Sequence, residues 1–416
     1  MLVRAGLLLT PVVRRVLCWL RRDSAQEKDQ PAETRRGLWV RERDAFEPAS
    51  DFYRWRQDLT GSARGKLLRC EAVREEHVLR GAARGWRVLY VSVGHAGREV
   101  AVSGLVYVPP GQPPEGGWPV ISYAHGTTGI TAAAAPSLNP LAELLKHPVL
   151  GTVSCFLQAG YAVVATDYEG LGTAGPHPYL HGFSLANSQI DAVRAGRQVT
   201  NTLSNVWVAM GQSEGGLSTL FTAAYAHTMA PELDYRGAVA TAPPTEWSTL
   251  SSSASDLGRI LTPLVLHAAS YHDASVDIEG WLNEDGRVLL YAWRTSFLQE
   301  PGTVLGTFLP LWGKPLLALA PGETTEMQAM RRLAATVDYA PLEVPRQRLD
   351  RPIMLAEGGN DELCVPGTVV RLAHDLRAKG SEVEYHFYPE AGHLTVPHVA
   401  FVDALEFVKR IAPTGC

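Results

Sequence analysis

Val206-Trp207-Val208-Ala209-Met210 runs directly into Gly211-Gln212-Ser213-Glu214-Gly215-Gly216, and Gly215 to Thr228 keeps a helical pattern. A short Val-rich apolar run followed by a glycine turn and a helical period reads as strand, turn and helix. At its centre is G-x-S-x-G, and the spacing has a physical cause. A turn this tight leaves no room for a Cβ two positions before or after the serine, while the serine is held strained with its Oγ above the strand end. The bare pattern also surrounds ordinary turn serines. The strand before it and the helix after it are what make Ser213 a candidate nucleophile.

Working outward, short apolar runs recur at Val120–Ala124, Tyr161–Thr166, Gly237–Thr241, Ile353–Glu357 and Val383–Tyr388, each ending in a Gly-rich or acidic loop. Helical patterns lie among them at Ser188–Thr200, Gly215–Thr228, Thr368–Lys379 and Val399–Ile411. This alternation predicts an α/β fold, a mostly parallel sheet flanked by helices. Upstream, Trp86–Val93 and Val100–Val108 alternate apolar and polar residues around Gly94-His95-Ala96-Gly97, the pattern of an antiparallel hairpin. Between Pro243 and Pro345 the rhythm fails. Leu-rich helical stretches with Trp247, Trp281, Trp293 and Trp312 take its place, as expected for a helical cap inserted into the sheet domain. The expected organisation is therefore an N-terminal extension (1–43), a first part of the core (44–244), a cap (245–345) and a second part of the core (346–416).

The 416 residues suffice for a large core, and 46% hydrophobic with 19% charged residues excludes a disordered tail or a membrane bundle. A net charge of −5 gives no electrostatic reason to bind a polyanion, so no nucleic-acid partner is expected. The first 43 residues are nonetheless basic. Their apolar stretch Ala5–Val13 has the length of a signal h-region, but Pro11 and Arg14-Arg15 interrupt it and no A-x-A site follows, which favours a cytoplasmic over a secreted protein. No apolar run is long enough to span a bilayer, and no membrane insertion is expected. Cys18, Cys70, Cys155, Cys364 and Cys416 match no zinc spacing and force no disulfide framework.

A serine at neutral pH needs a base, and the base needs an orienting acid; on this kind of sheet they follow in the order Ser, Asp/Glu, His. The strand Ile353–Glu357 ends in Gly358-Gly359-Asn360-Asp361-Glu362-Leu363-Cys364, and Val383–Tyr388 leads to Pro389-Glu390-Ala391-Gly392-His393. Asp361 and His393 are thus the candidate acid and base, on loops at strand C-terminal ends, where such sheets bind ligands. Glu357 and Glu362 are rival acids; His386 and His398 read as structural. An oxyanion needs two backbone N–H donors, one from the residue after the nucleophile and one from the loop after an earlier strand. Glu214 supplies the first, and Thr127 in His125-Gly126-Thr127-Thr128-Gly129 is the candidate for the second, with Thr128 as its substitute. The alternative for that loop is a plain Gly-rich turn.

Two motifs mislead. Gly170-Leu171-Gly172-Thr173-Ala174-Gly175 matches G-x-G-x-x-G, but Pro176 and Pro178 stand where a phosphate-binding helix would begin. His177 and His181 have zincin spacing, but Pro178 breaks the helix and no Glu follows the first histidine. Neither a metal nor a cofactor is required.

Taken together, His125-Gly126-Thr127-Thr128-Gly129, Asp167-Tyr168-Glu169-Gly170-Leu171-Gly172, His177-Pro178-Tyr179-Leu180, the Ser213 turn, Asp361 and Ala391-Gly392-His393 resemble bacterial members of the secretory lipase family of α/β-hydrolases, related to the fungal lipase A type. The resemblance runs from about Cys70 to Ala412, and the segments at 167–172 and 177–180 are its most specific part. It implies an α/β-hydrolase fold with a helical cap after the sixth strand. It also implies a serine esterase or lipase acting on a small-molecule ester or lipid. The same residues serve acyl transfer or amide and peptide hydrolysis equally well, and a catalytically inactive α/β-hydrolase acting as a binding protein is a further alternative.

Overall fold

The computed structural model describes residues 46–75, 78–138, 148–246, 255–297, 307–338 and 340–414. The expected N-terminal extension, Trp247, Cys18 and Cys416 lie outside them.

Nine strands among the described residues form one sheet: β1 (Leu67–Ala72), β2 (Arg84–Val93), β3 (Glu99–Val108), β4 (Trp118–Ala124), β5 (Ala162–Thr166), β6 (Leu203–Gln212), β7 (Asp234–Thr241), β8 (Ile353–Gly358) and β9 (Val383–Tyr388). Their order is β1-β2-β3-β5-β4-β6-β7-β8-β9. The β2–β3 hairpin is antiparallel about the turn at 94–97, and β3 joins β5 antiparallel. From β5 onward every pair is parallel. Strand β1 has no apolar run to announce it. It is an edge strand pairing only with β2, and its residues are half-buried or exposed, so hydrophobic burial does not dictate its composition.

Helices α1 (Pro148–Gln158), α2 (Gly182–Val199), α3 (Glu214–Met229), α7 (Thr368–Ala378) and α8 (Phe401–Ile411) cover the two faces, and α4 (Asp256–Ser270), α5 (Glu284–Thr295) and α6 (Glu326–Thr336) lie in the chain between α3 and α7. One face packs Ile121, Tyr123, Val163, Val208 and Met354 of the strands against Val153, Phe156 and Leu157 of α1 and Phe407 and Val408 of α8. Each of these buried side chains contributes about 1.5–3 kcal/mol relative to exposure. Ser122, between Ile121 and Tyr123, turns to the other face and donates to the Gln189 carbonyl of α2 at 2.8 Å. Gln189 returns a bond to Ser122 O (2.9 Å) and accepts from Ser218 and Thr222 of α3 (3.0 and 2.9 Å). One buried amide thus ties β4, α2 and α3 together beneath the Ser213 turn.

The helices α4 to α6 all fall between β7 and β8. They have an interior of their own, where Leu264, Leu266, Leu289, Leu290 and Trp293 are fully buried. Trp293 donates from Nε1 to Ile260 O at 3.0 Å and packs on Phe308 with ring centroids 4.6 Å apart. Trp312, by contrast, is exposed.

Candidate active site

Strand β6 delivers Ser213 into the first turn of α3 with φ 57° and ψ −122°, a conformation costly for a residue with a Cβ. The flanking glycines make it possible. A Cβ on Gly211 would stand 2.1 Å from Gly215 O, and one on Gly215 would stand 1.9 Å from Ala124 O. Tyr168 (φ 76°) and Ala242 (φ 45°), just beyond β5 and β7, share the positive φ, so backbone strain collects at the C-terminal edge of the parallel strands.

At that edge the three candidate residues meet. Ser213 Oγ lies 2.8 Å from His393 Nε2, and His393 Nδ1 lies 3.1 and 3.0 Å from the two oxygens of Asp361. All three are buried. Asp361 is held in turn by the amides of Leu363 (2.8 Å) and Cys364 (2.7 Å), both donating to Oδ1. A carboxylate facing Nδ1 selects the tautomer with its proton there, which leaves the Nε2 lone pair for the serine hydroxyl.

The rival acids are engaged elsewhere. Glu357 accepts from the amides of Gly367 (2.6 Å) and Val369 (3.1 Å) at the start of α7, and from the Tyr385 hydroxyl. Glu362 accepts the backbone N–H of His393 at 3.1 Å, steadying the histidine loop without touching the imidazole. His386 pairs with Glu384 on β9 at 2.9 Å.

The two candidate oxyanion donors sit on adjoining elements, since β4 and β6 are parallel neighbours paired Ala124 to Gly211. Glu214 opens α3, where the first amides have no intrahelical acceptor, and among the described residues neither its N–H nor that of Thr127 has a partner. Thr128 is fully buried, and among the described residues its hydroxyl is unpaired. His125, at the start of this loop, is driven below the usual histidine range by burial and stays neutral; its Nδ1 faces Gly126 O at 2.6 Å.

Gln212 was not legible from the sequence as part of the site. Its amide nitrogen lies 3.2 Å from His393 Nε2 and 3.4 Å from His393 O, a second donor toward the lone pair that Ser213 uses. Gly126 has no Cβ where one would press on Gln212 Oε1 at 2.4 Å. Cys364 also approaches, with ligand atoms of Asp361, Cys364 and His393 within 4.8 Å of one another. The three are already engaged, His393 with Asp361 and the Cys364 thiol donating to Ala242 O at 3.4 Å. Burial and the neighbouring Asp361 push the thiol well above its ordinary range, which keeps it protonated and a poor metal ligand.

The misleading motifs find structural uses. Gly170 (φ 79°) passes so close to Pro176 and His177 that a Cβ would meet the Pro176 carbonyl carbon at 2.5 Å, and no helix begins until Gly182. His181 caps α2, accepting from Ser184 N at 3.3 Å. Among the described residues no helix is long and apolar enough to cross a membrane.

The chain is similar in sequence and in fold to known lipases and esterases. Residues 149–268 match the family model of the secretory lipases, and residues 318–410 match that of the prolyl oligopeptidase family. Lipase A of Moesziomyces aphidis is 24% identical over 385 residues, covering 86% of this chain and 79% of that protein. A protein of Mycobacterium tuberculosis described as a probable inactive lipase is 24% identical over 328 residues, covering 72% of this chain and 67% of its own. The crystal structure of Candida antarctica lipase A in its closed state aligns with a TM-score of 0.64 at 20% identity, covering 88% of this chain and 87% of that one. With this sheet, a secretory-lipase match that runs through the Ser213 turn and a lipase A aligned along most of its length, the chain has the α/β-hydrolase fold, is similar to the secretory lipases and is a carboxylic-ester hydrolase.

Proposed function

We propose that Ser213, His393 and Asp361 act as a catalytic triad that hydrolyses acyl esters through an acyl-enzyme. Ser213 Oγ attacks the ester carbonyl as His393 Nε2 takes its proton. The amides of Glu214 and Thr127 hold the oxyanion. His393 then returns the proton to the alkoxide, which leaves as the alcohol. Water repeats the sequence in reverse sense: His393 accepts its proton, the hydroxyl adds to the acyl carbonyl, and Ser213 departs with the proton while the acid is released. Asp361 keeps the proton on Nδ1 and stabilises the imidazolium.

The observation that carries this reading is the continuous set of contacts from Ser213 Oγ through the imidazole to Asp361, at 2.8 and 3.0 Å, on a serine held at φ 57°. Those contacts also weigh against an inactive binding protein, although one relative is described as inactive. The lipase relatives favour an acyl ester over an amide as substrate, and α4 to α6, lying between β7 and β8, are proposed to form a cap that borders the acyl site. Replacing Ser213 by Ala tests the assignment. Ester hydrolysis should fall by several powers of ten with the fold intact, and a folded variant with full turnover would refute it.

A further inference from the structure

The residue after the nucleophile carries a carboxyl group that the proposed chemistry does not use. Glu214 is 1% exposed, and its Oε1 lies 2.7 Å from Nε2 of His177, also 1% exposed. A buried carboxyl group persists at a cost unless it is paired and hydrogen-bonded, so the pairing needs a reason. His177 is fixed on all sides. Its Nδ1 donates to Glu169 O at 2.8 Å, its N–H to Ile130 O at 3.0 Å, and its carbonyl receives His267 Nε2 at 3.1 Å. Its ring stacks on Tyr168 at 5.5 Å, and the missing Cβ of Gly170 lets the chain pass beneath. With Nδ1 committed as a donor to a carbonyl, the contact at Nε2 shares one proton with Glu214, as an imidazolium facing a carboxylate or an imidazole facing a carboxylic acid. Either form is a bond.

Two residues on, Tyr179 is 3% exposed, and its hydroxyl lies 2.7 Å from Oγ1 of Thr127. The side chains of the two residues whose amides face the oxyanion are therefore gripped by a single tripeptide.

We infer that His177-Pro178-Tyr179 is the positioning element of the oxyanion site, His177 setting Glu214 and Tyr179 setting Thr127. The inference rests on the triad reading above. Neither His177 nor Tyr179 touches the reacting atoms; each is a positioning residue acting through a neighbour's side chain. Such a device affects the tetrahedral intermediate far more than the bound ester, because the amides pull fully only on a developed negative charge. It also gives the glycine-rich turn at 170–175 a purpose, which is to bring His177 close to the start of α3.

The test is a double-mutant cycle with p-nitrophenyl butyrate as substrate. Tyr179→Phe and Thr127→Val each break the hydroxyl contact while leaving both backbone amides. Each should lower kcat by between about tenfold and a hundredfold with KM nearly unchanged, and the double variant should lose no more than either single one. Affinity for an alkyl boronic acid, whose adduct with the serine is tetrahedral and anionic, should fall in parallel. Along the other arm, Glu214→Gln, whose amide still reaches Nε2, should retain most of the rate that Glu214→Leu loses. Additive losses, an unchanged kcat, or losses that fall on KM or follow a lowered melting temperature would overturn the inference. Failure of the triad reading shows separately, as full activity in Ser213→Ala.

Discussion

Asp361 holds His393 through both carboxylate oxygens, at 3.1 and 3.0 Å from Nδ1, while its Oδ1 is itself pinned by two backbone amides of the same loop. The loop therefore sets the carboxylate before the histidine meets it. In Asp361→Asn the remaining oxygen is claimed by the Leu363 and Cys364 amides, so the new NH2 faces Nδ1 and forces the proton onto Nε2. The account predicts a loss of up to about 10⁴ in kcat at neutral pH with little change in melting temperature. Glu362→Gln, which only weakens a bond from the His393 backbone N–H, should cost far less. Steady-state kinetics on the two variants decides between the acids, and a collapse confined to Glu362→Gln would transfer the role.

The turn glycines make a stability prediction. A methyl group on Gly215 would stand 1.9 Å from Ala124 O and 2.7 Å from His125 O, both backbone atoms that cannot step aside cheaply. Gly215→Ala should destabilise the fold by at least about 3 kcal/mol in urea melts and abolish activity. Gly97→Ala serves as the control, since its Cβ would meet nothing within 4 Å although its φ of 70° carries a smaller strain.

One buried and one half-buried histidine predict how stability depends on pH. His267 is pushed down to about 4 by burial, and His181 to about 4 by burial and the stacked His272 ring. Both stay neutral in the folded chain down to that pH, whereas unfolded histidines take up protons below about 6.5. Their contribution is thus complete above pH 6.5 and is lost as pH falls toward 4, by at most about 3 kcal/mol for His267. Melting temperatures at pH 7, 5.5 and 4.5 should decline, and His267→Gln should flatten that decline. An equal slope in the variant would contradict the assignment.

Much of this organisation was legible because burial and turns constrain composition. Strands β2 and β3 stand out by their alternation and β4 to β9 as apolar runs, and Ser213, Asp361 and His393 each follow such a run on a loop whose position the order of strands and helices predicts. Helix α1 escaped notice because Val149, Thr152, Val153 and Gly151 are weak helix formers, its stability coming from Val153, Phe156 and Leu157 buried against the sheet. The contacts that Gln212, His177 and Tyr179 make could not be read. Their partners His393, Glu214 and Thr127 are brought to them only by strand order, and the G-x-G-x-x-G pattern near His177 suggested a chemistry that the prolines after it deny.

The helical insertion bears on substrate choice. Trp293 is part of its interior, so Trp293→Ala should cost about 3–5 kcal/mol in stability and is a poor probe of specificity. If α4 to α6 border the acyl site as proposed, each substrate CH2 that they cover adds about 0.8 kcal/mol, or roughly fourfold. kcat/KM should then rise from p-nitrophenyl acetate to at least medium-chain esters. A steady fall with chain length would show that the insertion closes the site instead of extending it.

The most direct measurement is mass-spectrometric mapping of a fluorophosphonate adduct alongside residual esterase activity. The account predicts a single adduct on Ser213, loss of p-nitrophenyl butyrate hydrolysis in proportion to its formation, and no labelling of Ser213→Ala. Adduct formation on another residue, or hydrolysis that persists once Ser213 is fully modified, would contradict it.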